Sequence, residues 1–317
     1  MANHVFLKDM IDGMPIDCDY VLVSHTIKQT KAGKDFIDAT VSDKGGQIAC
    51  KKWDVIGEEA LVDGGVVHII GTVNPYNGAM QIRADEIIPR ETSDVDLEPL
   101  LPVAPRAGID MFNELYELAS NFKNEDLRNV TCHILKQEKD KLLNMPGGKS
   151  MHHAMINGLL YHTVCMTEDA IALSKVYPEI NAELLEAGTI LHDIGKIWEF
   201  DTGPLGLIKD YSVEGNLEGH LYMGAAHIAS ICDLLHVSAE TKLMLTHMIL
   251  SHHGKPEYGA VKEPMFAEAF MLNMIDELDS HLEVYLRLEK EAEPGKMTER
   301  AAQALGKNLH VYHPTFR

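Results

Sequence analysis

The sequence predicts a multidomain chain, a small N-terminal β-barrel followed by an all-α domain. Three observations carry this. Residues 18–88 alternate short β-branched or aromatic segments with turn-formers. Residues 89–105 are rich in proline and acid. From 106 onward, apolar positions recur at spacings of three and four.

The strand candidates are Tyr20–Val23, Asp35–Val41, Gln47–Trp53, Val66–Val73 and Met80–Ala84. Lys31-Ala32-Gly33-Lys34, Asp43-Lys44-Gly45-Gly46, Asp63-Gly64-Gly65 and Asn77-Gly78 separate them as turns. A helical turn is expected near Val55–Leu61, before the fourth strand. Five strands in so short a span suit an OB-type barrel, whereas a sandwich usually needs more. Pro89, Pro99, Pro102 and Pro105, with Glu91, Asp94, Asp96 and Glu98, predict a semi-rigid linker over 91–105. The expected domains are therefore 1–90 and 106–317. Beyond the linker, Met111, Phe112, Leu115 and Leu118 open a helical pattern, with further helices expected over roughly 151–177, 181–194, 219–235, 238–251 and 264–290. No further β period is expected there.

Composition limits the function classes. The chain is 45% hydrophobic and 24% charged, as soluble globular proteins are. No apolar run approaches the roughly 18 residues of a membrane span. The start lacks a basic segment followed by an apolar core, so a signal peptide is not expected. Cys18, Cys50, Cys132, Cys165 and Cys232 are scattered, odd in number and never in a CxxC pair. They read as reduced thiols filling cores in a cytoplasmic protein. The net charge of −20 argues superficially against nucleic acid. Its distribution weakens that argument, because residues 1–90 hold 9 Lys/Arg against 13 Asp/Glu and the other residues hold 19 against 35.

The chemistry concentrates around His192-Asp193-Ile194-Gly195-Lys196. His162 lies upstream; His220, the pair His252-His253, and Asp276 lie downstream. Imidazole and carboxylate hold divalent transition metals, and one Asp can bridge two of them, as sites that cut phosphate esters require. His192 and Asp193 are expected to end a helix, with Gly195 as its C-cap. Neighbouring helical residues diverge by about 100°, so the dyad can reach two metals, or one edge-on. His220 opens a helix, His252 and His253 close one before Gly254, and Asp276 lies in a helical run where a buried carboxylate needs a partner. Each alone also reads as a hydrogen-bonded core group or a helix cap. Seven such positions in one helical domain do not.

Further residues carry two readings each. Lys196 offers charge to a developing phosphorane, or is a surface lysine. Lys149, His152 and His153 follow Pro146-Gly147-Gly148 at the expected start of the His162 helix, where a helix N-terminus favours phosphate; loop filler is the alternative. On the barrel, Phe36, Trp53 and Tyr76 interleave with Lys34, Lys51, Lys52 and Arg83, the mixture that binds single strands by stacking and phosphate contact. Trp53, beside Lys51 and Lys52, is the strongest candidate, and Phe36 the aromatic most readily placed in the core.

The order His162, His192-Asp193, His220, His252-His253, Asp276 resembles the HD-domain superfamily of metal-dependent phosphohydrolases. Additional downstream histidines make it similar to the dinuclear members, including the HD-GYP phosphodiesterases. After His253 stands Gly254-Lys255-Pro256-Glu257-Tyr258, without the glycine-tyrosine-proline element, which counts against a cyclic dinucleotide. The whole layout of a barrel, then Leu159-Leu160-Tyr161-His162-Thr163, Ile190-Leu191-His192-Asp193-Ile194-Gly195-Lys196, Gly219-His220 and His247 through Gly254, resembles the YhaM-type 3′–5′ exoribonucleases of Gram-positive bacteria.

The resemblance implies two divalent ions, Mn²⁺ first, with Fe, Co or Mg as alternatives. One would take His162, His192, Asp193 and Asp276. The other would take Asp193, His220, His252 and His253, with His247 as a spare. It also implies 3′–5′ hydrolysis of single-stranded RNA, with single-stranded DNA left open, by a two-metal mechanism in which hydroxide attacks the phosphodiester. No membrane partner is expected, and a homo-oligomer is left open. Two rivals stand beside this reading: an HD-type nucleotide phosphohydrolase whose barrel regulates or assembles it, and a nucleic-acid-binding protein whose helical domain is structural.

Overall fold

A computed structural model describes residues 4–30, 32–53, 61–76, 78–148, 153–291, 293–298 and 306–312. The chain divides into two compact units, residues 1–103 with 202–207, and residues 104–201 with 208–317. Residues 91–103 group with the first unit, where Leu100 and Leu101 are buried.

The first unit is a closed five-stranded barrel of OB type: β1 (Pro15–Gln29), β2 (Asp35–Asp43), β3 (Gly46–Trp53), β4 (Val66–Tyr76) and β5 (Ala79–Arg90), in the order β1-β2-β3-β5-β4. β1 is long enough to serve two neighbours. Its first half pairs with β4, from Pro15↔Thr72 to Val21↔Val66. From Val21 to Gln29 it pairs with β2, across a register shift between Leu22 and Ser24. The parallel pairing of β3 with β5, from Ala49↔Gln81 to Lys52↔Ala84, completes the closure and removes sheet edges. Alternate residues point inward, so Ile37, Ala39 and Val41 fill the barrel with Cys50, Ile69 and Ile82. The helical turn expected near 55–61 lies mostly outside the described residues.

The second unit is helical: α1 (Gly108–Ser120), α2 (Glu125–Leu142), α3 (Gly158–Val176), α4 (Ala182–Leu191), α5 (Lys196–Glu199), α6 (Val213–Leu234), α7 (Ala239–Ser251) and α8 (Ala267–Glu291). Side chains of Asn124, Asn181 and Ser238 accept from backbone N–H groups three residues on, which caps α2, α4 and α7. Met111, Phe112 and Leu115 of α1 pack with Leu159, Ile190, Ile228 and Ile249 of the later helices in one core.

Three expectations about the helical part are corrected. A β period does return, as the hairpin β6 (Phe200–Thr202) and β7 (Ile208–Tyr211). Its turn closes by Gly203 N–H to Leu207 O at 2.8 Å, with Gly206 at φ 75°. Helix α3 starts at Gly158 rather than near 151, because Asn157 before it is left-handed at φ 62°. Helix α6 starts earlier than expected and is kinked at Gly219, so His220 begins its second half. Among the described residues no helix is long and apolar enough to cross a membrane, and the five cysteines are unpaired.

Candidate functional site

Helix ends and one helix face of the second unit bring the His/Asp series together. His162 projects from α3, and His192 and Asp193 leave the end of α4. His220 begins the second half of α6, His252 and His253 follow α7, and Asp276 sits on α8. His162, His192 and His252 are fully buried, and Asp193 is 4% exposed.

All five imidazoles are oriented alike. Nδ1–H donates to a backbone carbonyl in three: His192 to Thr189 at 2.8 Å, His252 to Ile249 at 2.8 Å and His253 to Tyr258 at 3.0 Å. In the other two it donates to a carboxylate: His162 to Asp279 Oδ2 at 2.6 Å and His220 to Glu199 Oε1 at 2.9 Å. Carbonyls and carboxylates only accept, so each neutral ring turns an Nε2 lone pair inward. Those lone pairs oppose one another. Nε2 of His162 and His192 are 3.2 Å apart, and Nε2 of His220 and His253 are 3.3 Å apart. Facing lone pairs repel unless a proton or cation lies between them. Asp193 Oδ1 and His252 Nε2 are buried with no hydrogen-bond partner among the described residues, a costly state without a ligand.

Asp193 divides its oxygens between two sides. Oδ2 lies 3.2 Å from His192 Nε2 and 3.8 Å from His162 Nε2. Oδ1 lies 3.5 Å from His220 Nε2 and 3.6 Å from His252 Nε2. Ligand atoms of His162, His192 and Asp193 lie within 4.8 Å of one another, as do those of His192, His252 and Asp276, and those of His220, His252 and His253. An all-imidazole and carboxylate donor set of this kind fits a divalent transition ion. Among the described residues His247 joins none of these groups; its Nε2 accepts from Met265 N–H at 3.0 Å.

The electrostatics follow from this packing. Burial alone would raise Asp193, but Lys196 and His192 hold it well below the usual carboxylate value. Burial likewise opposes ionisation of Asp276, and the bond to His162 overrides it and lowers the group strongly. His162 moves the other way: burial would lower it, yet Asp276 and Asp279 raise it to about 9. His253, desolvated and next to His252 and His220, falls to about 3.

The expected glycine C-cap is corrected. Gly195 is right-handed (φ −60°, ψ −24°) and leads into α5. A Cβ there would lie 2.1 Å from the His220 carbonyl oxygen, so glycine allows α6 to approach the dyad.

Lys196 is neither a surface lysine nor free for substrate. It is buried, with Nζ 2.6 Å from Asp193 Oδ2 and 2.8 Å from the Gly147 carbonyl. Lys149 and His152 lie outside the described residues. His153 is described, and it does not sit at a helix start facing phosphate. It is five residues before α3, buried, with Nε2 2.7 Å from Asp279 Oδ2. Asp279 and Glu199, which orient His162 and His220, were not singled out in the sequence. Only the one-turn spacing of Asp276 and Asp279 could have signalled the first; nothing local marks Glu199.

The barrel gathers aromatics on its outer face. Phe36 and Trp53 are cross-strand partners, with rings 4.7 Å apart. Trp53 is 44% exposed, and Phe36 is half-buried on the outer face rather than in the core. Lys51 Nζ lies 5.7 Å from the Phe36 ring and 5.3 Å from the Tyr76 ring. Asp38 partly neutralises this face through Lys28 at 2.5 Å and Lys51 at 3.9 Å. Lys52 pairs with the inward residue Ile37 and so stands on the opposite side of β3 from Lys51 and Trp53.

Comparison with known proteins places this geometry in a family. Residues 159–281 match the HD domain family. The chain is 34% identical over 319 residues to the 3′–5′ exoribonuclease YhaM of Bacillus licheniformis, covering 100% of this chain and 99% of the relative. It is 36% identical over 307 residues to the YhaM of a Geobacillus species, covering 96% and 93%. Among solved structures, the second OB-fold domain of replication protein A from Methanococcus maripaludis matches 28% of this chain and 95% of its own, at 15% identity and TM-score 0.25. The barrel assignment rests on strand order, not on that likeness. With more than 30% identity over nearly the whole length of both chains, this chain belongs to the YhaM family of HD-domain 3′–5′ exoribonucleases.

Proposed function

We propose that the chain is a divalent-metal-dependent 3′–5′ exonuclease of single-stranded RNA, with two metal positions and Mn²⁺ as the preferred ion. The observation that carries this reading is the split of Asp193, Oδ1 toward His220 and His252 and Oδ2 toward His162 and His192. One position takes His162, His192, Asp193 and Asp276; the other takes Asp193, His220, His252 and His253. When bound, the ions supply Lewis-acid polarisation of the phosphoryl oxygens and a nucleophile at neutral pH.

The residues of the chain prepare that chemistry. Carbonyls of Thr189, Ile249 and Tyr258 lock the imidazole tautomers before any ion arrives, so little reorganisation is left for binding. Lys196 keeps Asp193 anionic and fixes its Oδ2 edge. That role places the lysine on the ligand rather than on the phosphorane. The Phe36–Trp53 pair offers a stacking surface, and Lys51 a phosphate contact, for a strand longer than the reactive end.

The test is a time course on 5′-labelled single-stranded RNA with each divalent ion, resolved nucleotide by nucleotide, beside the DNA of the same sequence and a panel of free nucleotides. A ladder shortening from the 3′ end with Mn²⁺ is expected. Phosphate release from nucleotides with intact RNA would establish the nucleotide phosphohydrolase instead.

A further inference from the structure

Two carboxylates outside the ligand set, the buried Glu199 and the partly buried Asp279, each serve one side of the centre. Asp279 Oδ2 accepts Nδ1–H of His162 at 2.6 Å. Glu199 Oε1 accepts both Nδ1–H and backbone N–H of His220, at 2.9 and 3.0 Å. The two acceptors sit on different elements, α8 and α5, and neither serves a histidine of the other side. His192, His252 and His253 lean on backbone carbonyls instead. The carboxylate-held rings are therefore His162 on one side of Asp193 and His220 on the other.

The His162 side has a further support. His153 Nε2 lies 2.7 Å from the same Asp279 Oδ2, which extends the chain to His153–Asp279–His162. The surroundings are built to hold His153 there. Its backbone is left-handed at φ 49°, a conformation that costs a non-glycine residue free energy and needs enforcement. The enforcement is visible: the His153 carbonyl accepts from Gly147 N–H at 2.9 Å and from Met155 N–H at 2.8 Å. A Cβ on Gly158 would lie 2.0 Å from that carbonyl oxygen, so only glycine leaves room for it. Bent backbone and buried ring together aim one N–H at Asp279, whose second bond then points at His162.

We infer that Asp279 with His153, and Glu199 separately, are positioning residues that tune the two metal positions independently, the first acting through His162 and the second through His220. A carboxylate on Nδ1–H fixes the ring and makes Nε2 a stronger donor to the ion, and losing such a partner costs about 10–100-fold in metal affinity. The loss falls on one position because each carboxylate holds one proposed ligand ring, His162 for Asp279 and His220 for Glu199. Asp193 and His252, which lie near ligands of both sides, are hydrogen-bonded by neither carboxylate among the described residues.

This inference rests on the two-position reading, and Mn²⁺ uptake separates their failures. Metal-free full-length protein is titrated with Mn²⁺ while free ion is followed by its EPR signal, with far-UV circular dichroism confirming the fold of each variant. The parent protein is expected to take up two ions; uptake of one would overturn the two-position reading itself. Asp279→Asn and Glu199→Gln are each expected to weaken one event about 10–100-fold and to leave the other. In a His162→Ala background Asp279→Asn should cost nothing further, because it acts through that ring, whereas in a His220→Ala background it should keep its full effect. If Asp279→Asn does not fold, His153→Phe and His153→Gln make the same comparison, since His153 reaches His162 through Asp279. Phe should weaken the His162-side event, and Gln, which keeps a donor, should restore it. Equal weakening of both events by either single carboxylate variant, or no weakening by any, overturns independent tuning.

Discussion

Asp276 and Asp279, one helical turn apart on α8, hold opposite nitrogens of a single imidazole. Asp276 Oδ1 lies 3.4 Å from His162 Nε2, and Asp279 Oδ2 lies 2.6 Å from His162 Nδ1. One carboxylate is thereby placed on the ligand side of the ring and the other on its supporting side. A three-residue spacing on a helix is what allows one face to deliver both.

Asp193→Asn is expected to lower RNA hydrolysis by about 10³-fold or more, because removing the shared anion forfeits several kcal/mol of charge stabilisation. The metal-free variant should keep its helical circular dichroism, since Asp193 lies outside the apolar core. Purified Asp193→Asn with near-parental turnover would end the metal mechanism.

Metal-free stability should peak near pH 6.5. His162, raised to about 9, contributes stability that is full below 6.5 and is lost as pH climbs through 9. His253, lowered to about 3, behaves oppositely: the unfolded chain takes its proton near 6.5, so stability is full above that and falls toward 3. Asp279 and Asp276, both lowered, add to the acid loss below about 4. Thermal melts from pH 5 to 9.5 in EDTA should trace this peak. Saturating Mn²⁺ should flatten the alkaline decline, because ligation needs the unprotonated ring. A decline that is identical with and without Mn²⁺ refutes the assignment to His162.

Trp53→Ala and Lys51→Ala should weaken RNA binding in distinguishable ways, measured on a catalytically dead protein at several salt concentrations. Loss of a stacked base costs about 1–3 kcal/mol with little change in salt dependence. Loss of one phosphate contact lowers the slope of log affinity against log salt by about 0.7. Lys52→Ala should do neither, since Lys52 shares the Ile37 side of β3. Equal effects from Lys51 and Lys52 would move the nucleic-acid face elsewhere.

Gly195→Ala should destabilise the protein by about 1–3 kcal/mol, the usual range for overpacking, and weaken metal uptake with it. The added Cβ meets the His220 carbonyl at 2.1 Å, and backbone cannot swing aside as a side chain does. Thermal unfolding with and without Mn²⁺ reads both effects. An unchanged melting temperature would show that α6 yields freely.

The sequence by itself determined the two-domain order and the His/Asp series that the fold brings together. Short β-branched segments between turn-formers are local signals, and so is the three-and-four spacing of the helices, because each element's periodicity is written in its own residues. His162, His192, Asp193, His220, His252, His253 and Asp276 stand out because imidazoles and carboxylates at helix ends and on apolar faces need partners. Chemistry that is local in sequence failed where long-range packing decided the outcome. Gly195 resembles a helix cap, yet it is required by the approach of α6. Lys196 and His153 resemble exposed phosphate ligands, yet burial turns them onto Asp193 and Asp279. Lys51 and Lys52 are adjacent in the chain, and pleating sends them to opposite sides. Glu199 and Asp279 became legible only in three dimensions, because a hydrogen bond to a ring 21 or 117 residues away leaves no trace in local spacing.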